Sequence, residues 1–257
     1  MMNIDLSGKI ALITGAAGQL GRVMSRTLAS CGADIAVCYY SSGEMAEKLT
    51  NEIKAMGRRA AAFQADVTKE ESVNSMRDKI RDELGDPDIV VNNAVIQYDW
   101  KPVLDQNLAD FQSQFDSCVM QNVLTAKAFL PAMIKKGAGK FIGINTECSA
   151  QCGGNTGAYA SAKRGMDGLY RVLAREVAAN GINVNQVAPG WTISDKDRED
   201  QAVDQRGFND NAYAKNVPFA RRGTDQEIAN VVLFLASDLS SFVTGVCIPV
   251  CGGNVMV

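Results

Sequence analysis

The chain has 257 residues, 46% hydrophobic and 21% charged, a balance that supports a sizeable buried core in one α/β domain. A net charge of −3 offers no basic field to nucleic acid or an anionic membrane, and no run approaches the ~18 apolar residues of a membrane span. There is no histidine, which excludes Ser-His-Asp, Cys-His and His-metal chemistry and leaves tyrosine, lysine and carboxylates for acid–base work. The N-terminus lacks a signal-peptide pattern, so a cytoplasmic location is expected. The seven cysteines read as small buried hydrophobes rather than a disulfide framework, with Cys148 and Cys152 nearest the suspected site.

In chain order, Lys9–Thr14 reads as a strand that runs into the glycines 15, 18 and 21 and a helical pattern through Cys31. Asp34–Tyr39 is a second strand and Gly43–Met56 an amphipathic helix. A third strand spans Arg59–Gln64, with a helix over Lys69–Leu84, and a fourth spans Asp88–Asn92. Helical patterns cover Asn107–Cys118 and Gln121–Lys136. Lys140–Ile144 and Ile182–Val187 are the fifth and sixth strands, joined by a helix that carries Tyr159 and Lys163. Thr224–Ser237 is helical and Gly245–Val250 is a seventh strand. Strands buried on both faces and alternating with helices predict a doubly wound parallel sheet in a single domain, residues 1–257. The polar stretch 194–217 follows the sixth strand, at the end of the sheet where ligands bind, and reads as a substrate lid.

Two features carry chemistry. A strand ending in Gly15, Gly18 and Gly21 before a helix is a nucleotide-phosphate signature, because glycines permit close backbone approach and the helix N-terminus offers free N–H groups. Tyr159 and Lys163, four apart on a helix, share one face, so an ammonium can stabilise a phenolate beside it. Moving a phenol from ~10 towards 7 takes about 4 kcal/mol. A cation ~4 Å away at an effective dielectric of ~20 supplies about that much.

With these features in order, together with Asp66-Val67, Asn92-Asn93-Ala94, Asn122, Pro189-Gly190 and Gly252-Gly253, the chain resembles the short-chain dehydrogenase/reductase family over its whole length. The resemblance implies a seven-stranded Rossmann domain, a nicotinamide cofactor, a small-molecule carbonyl or alcohol substrate, and a homotetramer, or a homodimer, built on the last helix and strand. It places the catalytic tyrosine on Tyr159, the lysine on Lys163, the proton-relay asparagine on Asn122 and the carbonyl-polarising hydroxyl on Thr146, where the family has serine; Ser149 is the alternative hydroxyl. It implies a cofactor site of Gly15, Gly18, Gln19, Leu20, Gly21, Tyr39, Ser41, Ser42, Asp66, Val67, Asn93, Ala94, Tyr159, Lys163, Pro189, Gly190, Thr192 and Ser194, and no metal. Ile96, Trp100, Thr146, Trp191, Phe208 and Tyr213 are candidate substrate contacts. Besides Thr146, the chain departs from the family pattern at Gln19 in the loop, and at Val95 after Ala94 and Cys251 before the final glycines; Val95, at the nicotinamide end, bears on substrate shape.

An NAD-preferring fold places a carboxylate ~20 residues beyond the glycine loop to grip the ribose 2′-hydroxyl. Here that position falls in Cys38–Ser42, which holds no acid, so NADP(H) is favoured over NAD(H). The expected reaction is hydride transfer between a ketone or aldehyde and an alcohol, on a 3-oxoacyl thioester, a sugar or polyol, or a steroid-like ketone. The competing reading is a catalytically weak or inactive dinucleotide-binding sensor on the same fold.

Overall fold

A computed structural model describes residues 4–193 and 212–256. Its centre is a seven-stranded sheet in the order β3-β2-β1-β4-β5-β6-β7, every neighbouring pair parallel. The strands are β1 (Ile10–Ile13), β2 (Asp34–Tyr39), β3 (Ala60–Gln64), β4 (Ile89–Asn92), β5 (Gly139–Ile144), β6 (Ile182–Pro189) and β7 (Cys247–Val250). The helices are α1 (Gln19–Ser30), α2 (Gly43–Ala55), α3 (Glu70–Glu83), α4 (Leu108–Phe115), α5 (Gln121–Lys136), the short α6 (Cys148–Gln151), α7 (Gly157–Val177), the short α8 (Ala212–Asn216) and α9 (Asp225–Ala236). This is the expected doubly wound fold in a single domain. Ser194, Phe208 and most of the expected lid lie outside the described residues.

Period-2 alternation in the strands divides the core between the two faces. From β1, Ala11 and Ile13 join Met24 and Leu28 of α1 and Ile228, Val232 and Leu235 of α9 on one face. Ile10 and Leu12 face the other way, with Met76 and Ile80 of α3, Phe129 and Met133 of α5, and Met166 and Tyr170 of α7. The α9 terminus is set by a reciprocal capping box, in which the Thr224 side chain accepts from the Glu227 N–H and the Glu227 carboxylate accepts from the Thr224 N–H.

Two local differences from the sequence reading matter. The expected break between the helices ending at Cys118 and starting at Gln121 is absent, because Asp116–Met120 forms a π-turn that joins α4 to α5 without interruption. A single wide turn of this kind often marks a functional position, and here it stands directly before Asn122. Asp88 sits outside β4: its carboxylate accepts from the Ile10 N–H (2.9 Å) and pairs with Lys136 at the other end of the sheet.

Candidate active site

The chain reverses between β1 and β4, so the crevice above their carboxyl ends is the open position of the sheet. Gly15 takes a left-handed φ of +61° there, and a side chain on Gly21 would collide with the Gly15 carbonyl and with Ala16. Gly18 is the N-cap of α1 and offers no side chain to its amides. Leu20 lies in the first turn of α1, half-buried. The Thr14 hydroxyl accepts from the Asn93 and Ala94 N–H groups (2.9 and 3.0 Å), and the Asn93 amide donates to the Thr14 and Gly15 carbonyls (3.0 and 3.2 Å). This backbone cradle at a helix N-terminus fits a pyrophosphate.

Gln19, standing where the family has its middle glycine, donates its side-chain amide to the Ile193 carbonyl and to Asp225, at 3.4 Å for the carboxylate. It ties the loop to the exit of β6. The Arg22 guanidinium donates to the Ala17 carbonyl at 2.9 Å and so lies against the same loop. Tyr39 ends β2, followed by the exposed Ser41 and Ser42. The Asp66 carboxylate closes a turn by accepting from the Thr68 N–H (2.9 Å) and hydroxyl (2.6 Å), with Val67 buried next to it.

The second half of the site hangs from β5, β6 and α7. Thr146 follows β5, and its hydroxyl accepts from the Cys148 N–H at 3.2 Å. It borders a cavity of about 540 Å³ with Tyr159, Trp100, Gly190, Trp191 and Tyr213. Four of the six expected substrate contacts are therefore gathered. Ile96 is exposed after the exit of β4 and is not among the residues that line this cavity. Ser149, the alternative hydroxyl, is buried and donates to the Thr146 carbonyl at 2.9 Å. Pro189 ends β6, the Gly190 N–H donates to the Val250 carbonyl (3.0 Å), and Thr192 bridges to Gly223. Cys251 packs behind Gly190, which is also where the Tyr213 hydroxyl makes its close approach; a side chain on Gly190 would displace both.

The Tyr159 ring packs on Trp100, centroids 6.3 Å apart, and its N–H donates to the Tyr98 hydroxyl at 3.1 Å. Burial pushes the Tyr159 phenol above its ordinary value; the nearby Cys118 and Cys148 act in the same direction, and a hydrogen bond with Thr146 works against them. Lys163 is buried, which pulls its own pKa down. Its ammonium lies 5.7 Å from the Tyr159 ring centre and donates to the Ile144 carbonyl at 2.6 Å. The four-residue spacing thus brings the cation beside the tyrosine ring, and the end of β5 occupies part of it.

Asn122 is fully buried and committed to the fold. Its amide donates to the Cys118 carbonyl of the π-turn (2.7 Å), and its side-chain oxygen accepts from the Tyr170 hydroxyl (2.6 Å), which in turn accepts from Asn92 (3.1 Å). Sequence reasoning passed over three residues that help build the site: Glu147, Tyr98 and Asn254. Glu147 accepts from the Asn254 amide at 3.0 Å, and burial raises its carboxyl pKa. An acid directly after Thr146, at the exit of a strand that ends Phe-Ile-Gly-Ile, was the available signal. Among the described residues no cluster of metal-binding side chains occurs, and no helix is long and apolar enough to cross a membrane.

The sequence pattern of the enoyl-(acyl carrier protein) reductase family matches residues 15–254. The chain belongs to the short-chain dehydrogenase/reductase family. It is 37% identical over 264 residues to the 3-oxoacyl-[acyl-carrier-protein] reductase FabG of Escherichia coli K12, covering 99% of this chain and 100% of that one. Among solved structures, a gluconate 5-dehydrogenase from Burkholderia cenocepacia in complex with NADP and tartrate superposes with a TM-score of 0.88 at 29% identity, covering 98% and 97% of the two chains. A 7α-hydroxysteroid dehydrogenase complexed with NADH and 7-oxo glycochenodeoxycholic acid gives 0.87 at 30% identity, covering 99% and 97%. This family member is an oxidoreductase acting on CH–OH or carbonyl groups. Its relatives differ in cofactor and substrate, so the fold alone does not choose between them.

Proposed function

We propose that the protein is an NADP(H)-dependent oxidoreductase that interconverts a ketone or aldehyde with an alcohol, Tyr159 acting as general acid and base. The observation that carries this reading is the placement of Thr146 and Tyr159 on one cavity, with the Lys163 ammonium behind the tyrosine ring. Bound along the glycine cradle, the cofactor supplies or accepts the hydride. In the reducing direction Tyr159 passes its phenolic proton to the carbonyl oxygen and is reprotonated from solvent. Thr146 donates a hydrogen bond to that oxygen, where negative charge develops. Lys163 holds ribose hydroxyls and stabilises the phenolate. Asn122 serves through its main chain, since both polar ends of its side chain are taken.

Gly15 to Gly21 take the pyrophosphate. Asp66, Val67, Asn93 and Ala94 line the adenosine side, and Pro189, Gly190 and Thr192 hold the nicotinamide carboxamide. The preference for NADP(H) over NAD(H) rests on the end of β2, where Tyr39, Ser41 and Ser42 present no acid to repel a 2′-phosphate, with Arg22 held at the adjacent loop. The NADP-bound gluconate 5-dehydrogenase is in keeping with this choice. A homotetramer in the cytoplasm completes the proposal; the edge strand β7 and the exposed Leu239, Phe242 and Val246 near it support association there. A dinucleotide sensor without turnover is the less favoured reading, because Tyr159 and Thr146 border one cavity of substrate size.

The deciding test is oxidation of NADPH and of NADH against a panel of ketones, with binding of both cofactors measured in parallel. Turnover with tighter binding of NADPH is expected. Cofactor binding without turnover of any ketone would sink the enzymatic reading, and equal or tighter NADH binding would reverse the cofactor choice. A second prediction separates the two candidate hydroxyls. Thr146→Val keeps the shape and removes the donor, so kcat/KM falls by about 10²-fold or more. Ser149→Ala removes only a bond to the main chain and costs about 1 kcal/mol of stability. Steady-state kinetics and thermal melts of both variants check the pair.

A further inference from the structure

The cavity beside Tyr159 has a composition that points to a class of substrate. Both tryptophans of the chain stand at it, Trp100 54% and Trp191 52% exposed, each packed against a tyrosine: Trp100 on Tyr159, and Trp191 edge-on to Tyr213 with centroids 5.5 Å apart. The Arg222 guanidinium lies over the Trp191 ring, 5.0 Å from its centre, and the aromatic surface still exposed on the two tryptophans suits the C–H faces of a ligand whose edges are polar. The cavity surface is mainly apolar, and Glu147, Gln151 and Thr156 are polar residues that line it.

Glu147 is the group the hydride-transfer chemistry leaves unused. It is 5% exposed and immediately follows Thr146, with its N–H anchored to the Pro189 carbonyl at 2.9 Å. Its carboxylate accepts from the Asn254 amide at 3.0 Å, and the Tyr213 hydroxyl, which accepts from the Trp191 N–H at 2.9 Å, hydrogen-bonds the same group. An ionised carboxylate has about four acceptor positions. Asn254 and Tyr213 account for two, and the Trp191 N–H is already spent on the Tyr213 hydroxyl, which leaves acceptor capacity for a ligand.

Three kinds of ligand can be weighed against this wall. An acyl chain or steroid skeleton would cover the carboxylate with hydrocarbon and leave its remaining acceptor capacity unused, which is unfavourable. An anionic group at this position would meet a like charge. A chain of hydroxyl-bearing carbons satisfies both surfaces, because its C–H faces lie on the tryptophans and a hydroxyl donates to Glu147.

We propose that the substrate is a neutral polyhydroxylated ketone or aldehyde, or the polyol it forms, with Glu147 accepting a hydrogen bond from a hydroxyl of the carbon chain. This rests on the hydride-transfer reading above. Glu147 is then a specificity-determining residue, while Thr146 and Tyr159 handle the carbonyl.

The experiment follows NADPH oxidation by the full-length protein with D-fructose and D-xylulose, with cyclohexanone, and with acetoacetyl-CoA, for the wild type and for Glu147→Gln. The wild type is expected to show a higher kcat/KM for a polyhydroxylated ketone than for cyclohexanone or acetoacetyl-CoA. Glu147→Gln should lower the ratio of sugar to cyclohexanone kcat/KM by roughly 10- to 100-fold, mainly through KM, the loss of one charge-assisted hydrogen bond. NADPH binding and the melting curve of the variant report that its fold is intact; should Gln disturb it, Glu147→Asp, which retains the carboxylate on a shorter arm, is read on the same ratio. A wild type that prefers acetoacetyl-CoA or cyclohexanone, or a variant that loses activity on all three classes alike, overturns the substrate assignment and leaves the oxidoreductase standing. NADPH binding with no turnover of any carbonyl overturns the oxidoreductase reading and this inference with it.

Discussion

Tyr159→Phe is expected to reduce carbonyl reduction by about 10²- to 10⁴-fold, the range supplied by a positioned general acid. The substitution removes one oxygen. The ring contact with Trp100 and the N–H bond to Tyr98 do not depend on that oxygen, so the melting temperature should hold. NADPH affinity should weaken by about 2- to 10-fold at most, the worth of one neutral hydrogen bond to a ribose hydroxyl. Single-turnover kinetics and a fluorescence titration separate these effects. Because burial holds the phenol above its ordinary value, Tyr159 stays protonated throughout the neutral range and the reducing direction should be insensitive to pH there. A variant within tenfold of wild type would remove Tyr159 from the mechanism.

Lys163→Met should cost about 10²-fold in turnover. A cation 5.7 Å from the centre of the phenol ring, at an effective dielectric of ~20, contributes about 3 kcal/mol to a charge developing at about that range, and about 1.4 kcal/mol corresponds to one factor of ten. Stability should behave differently. The ammonium is buried and its pKa is pulled down, so it is held at a desolvation cost that methionine, of similar length, does not bear. Loss of the bond to Ile144 offsets part of that relief, and the expected change in Tm is within about 4 °C. The oxidising direction supplies a further sign. It requires the phenolate, so its rate rises with pH as Tyr159 ionises, and removing the cation moves this rise to higher pH. A collapse of both activity and Tm would instead mark Lys163 as a structural residue.

The sheet and the glycine loop are legible in the sequence because their causes are local. Apolar strands such as Ile10–Ile13 and Ile89–Asn92 can be satisfied only by burial on both faces, and a strand leading through Gly15 and Gly21 into a helix admits few backbone paths. Other features depend on contacts that no local pattern carries. The π-turn before Asn122 has the same apolar periodicity as an ordinary helix, and Asn122 itself is held by Tyr170, 48 residues further on. Glu147 looks like an ordinary loop acid until Asn254, 107 residues away, is placed against it. Gln19, which breaks the family's glycine spacing, acquires its purpose only when the exit of β6 comes within reach of its amide.

The sequence by itself determined the α/β class, a doubly wound parallel sheet, the glycine loop and the placing of Tyr159 and Lys163 on one helix, because periodicity, glycine and a four-residue helical spacing are short-range properties of the chain. Only the tertiary structure decided that the Lys163 ammonium donates to the Ile144 carbonyl, that Ser149 bonds to the main chain, and that a buried carboxylate lines one cavity with two half-exposed tryptophans. Those outcomes follow from desolvation and from which distant groups are brought close enough to satisfy a buried donor or acceptor. Both are set by the folded arrangement.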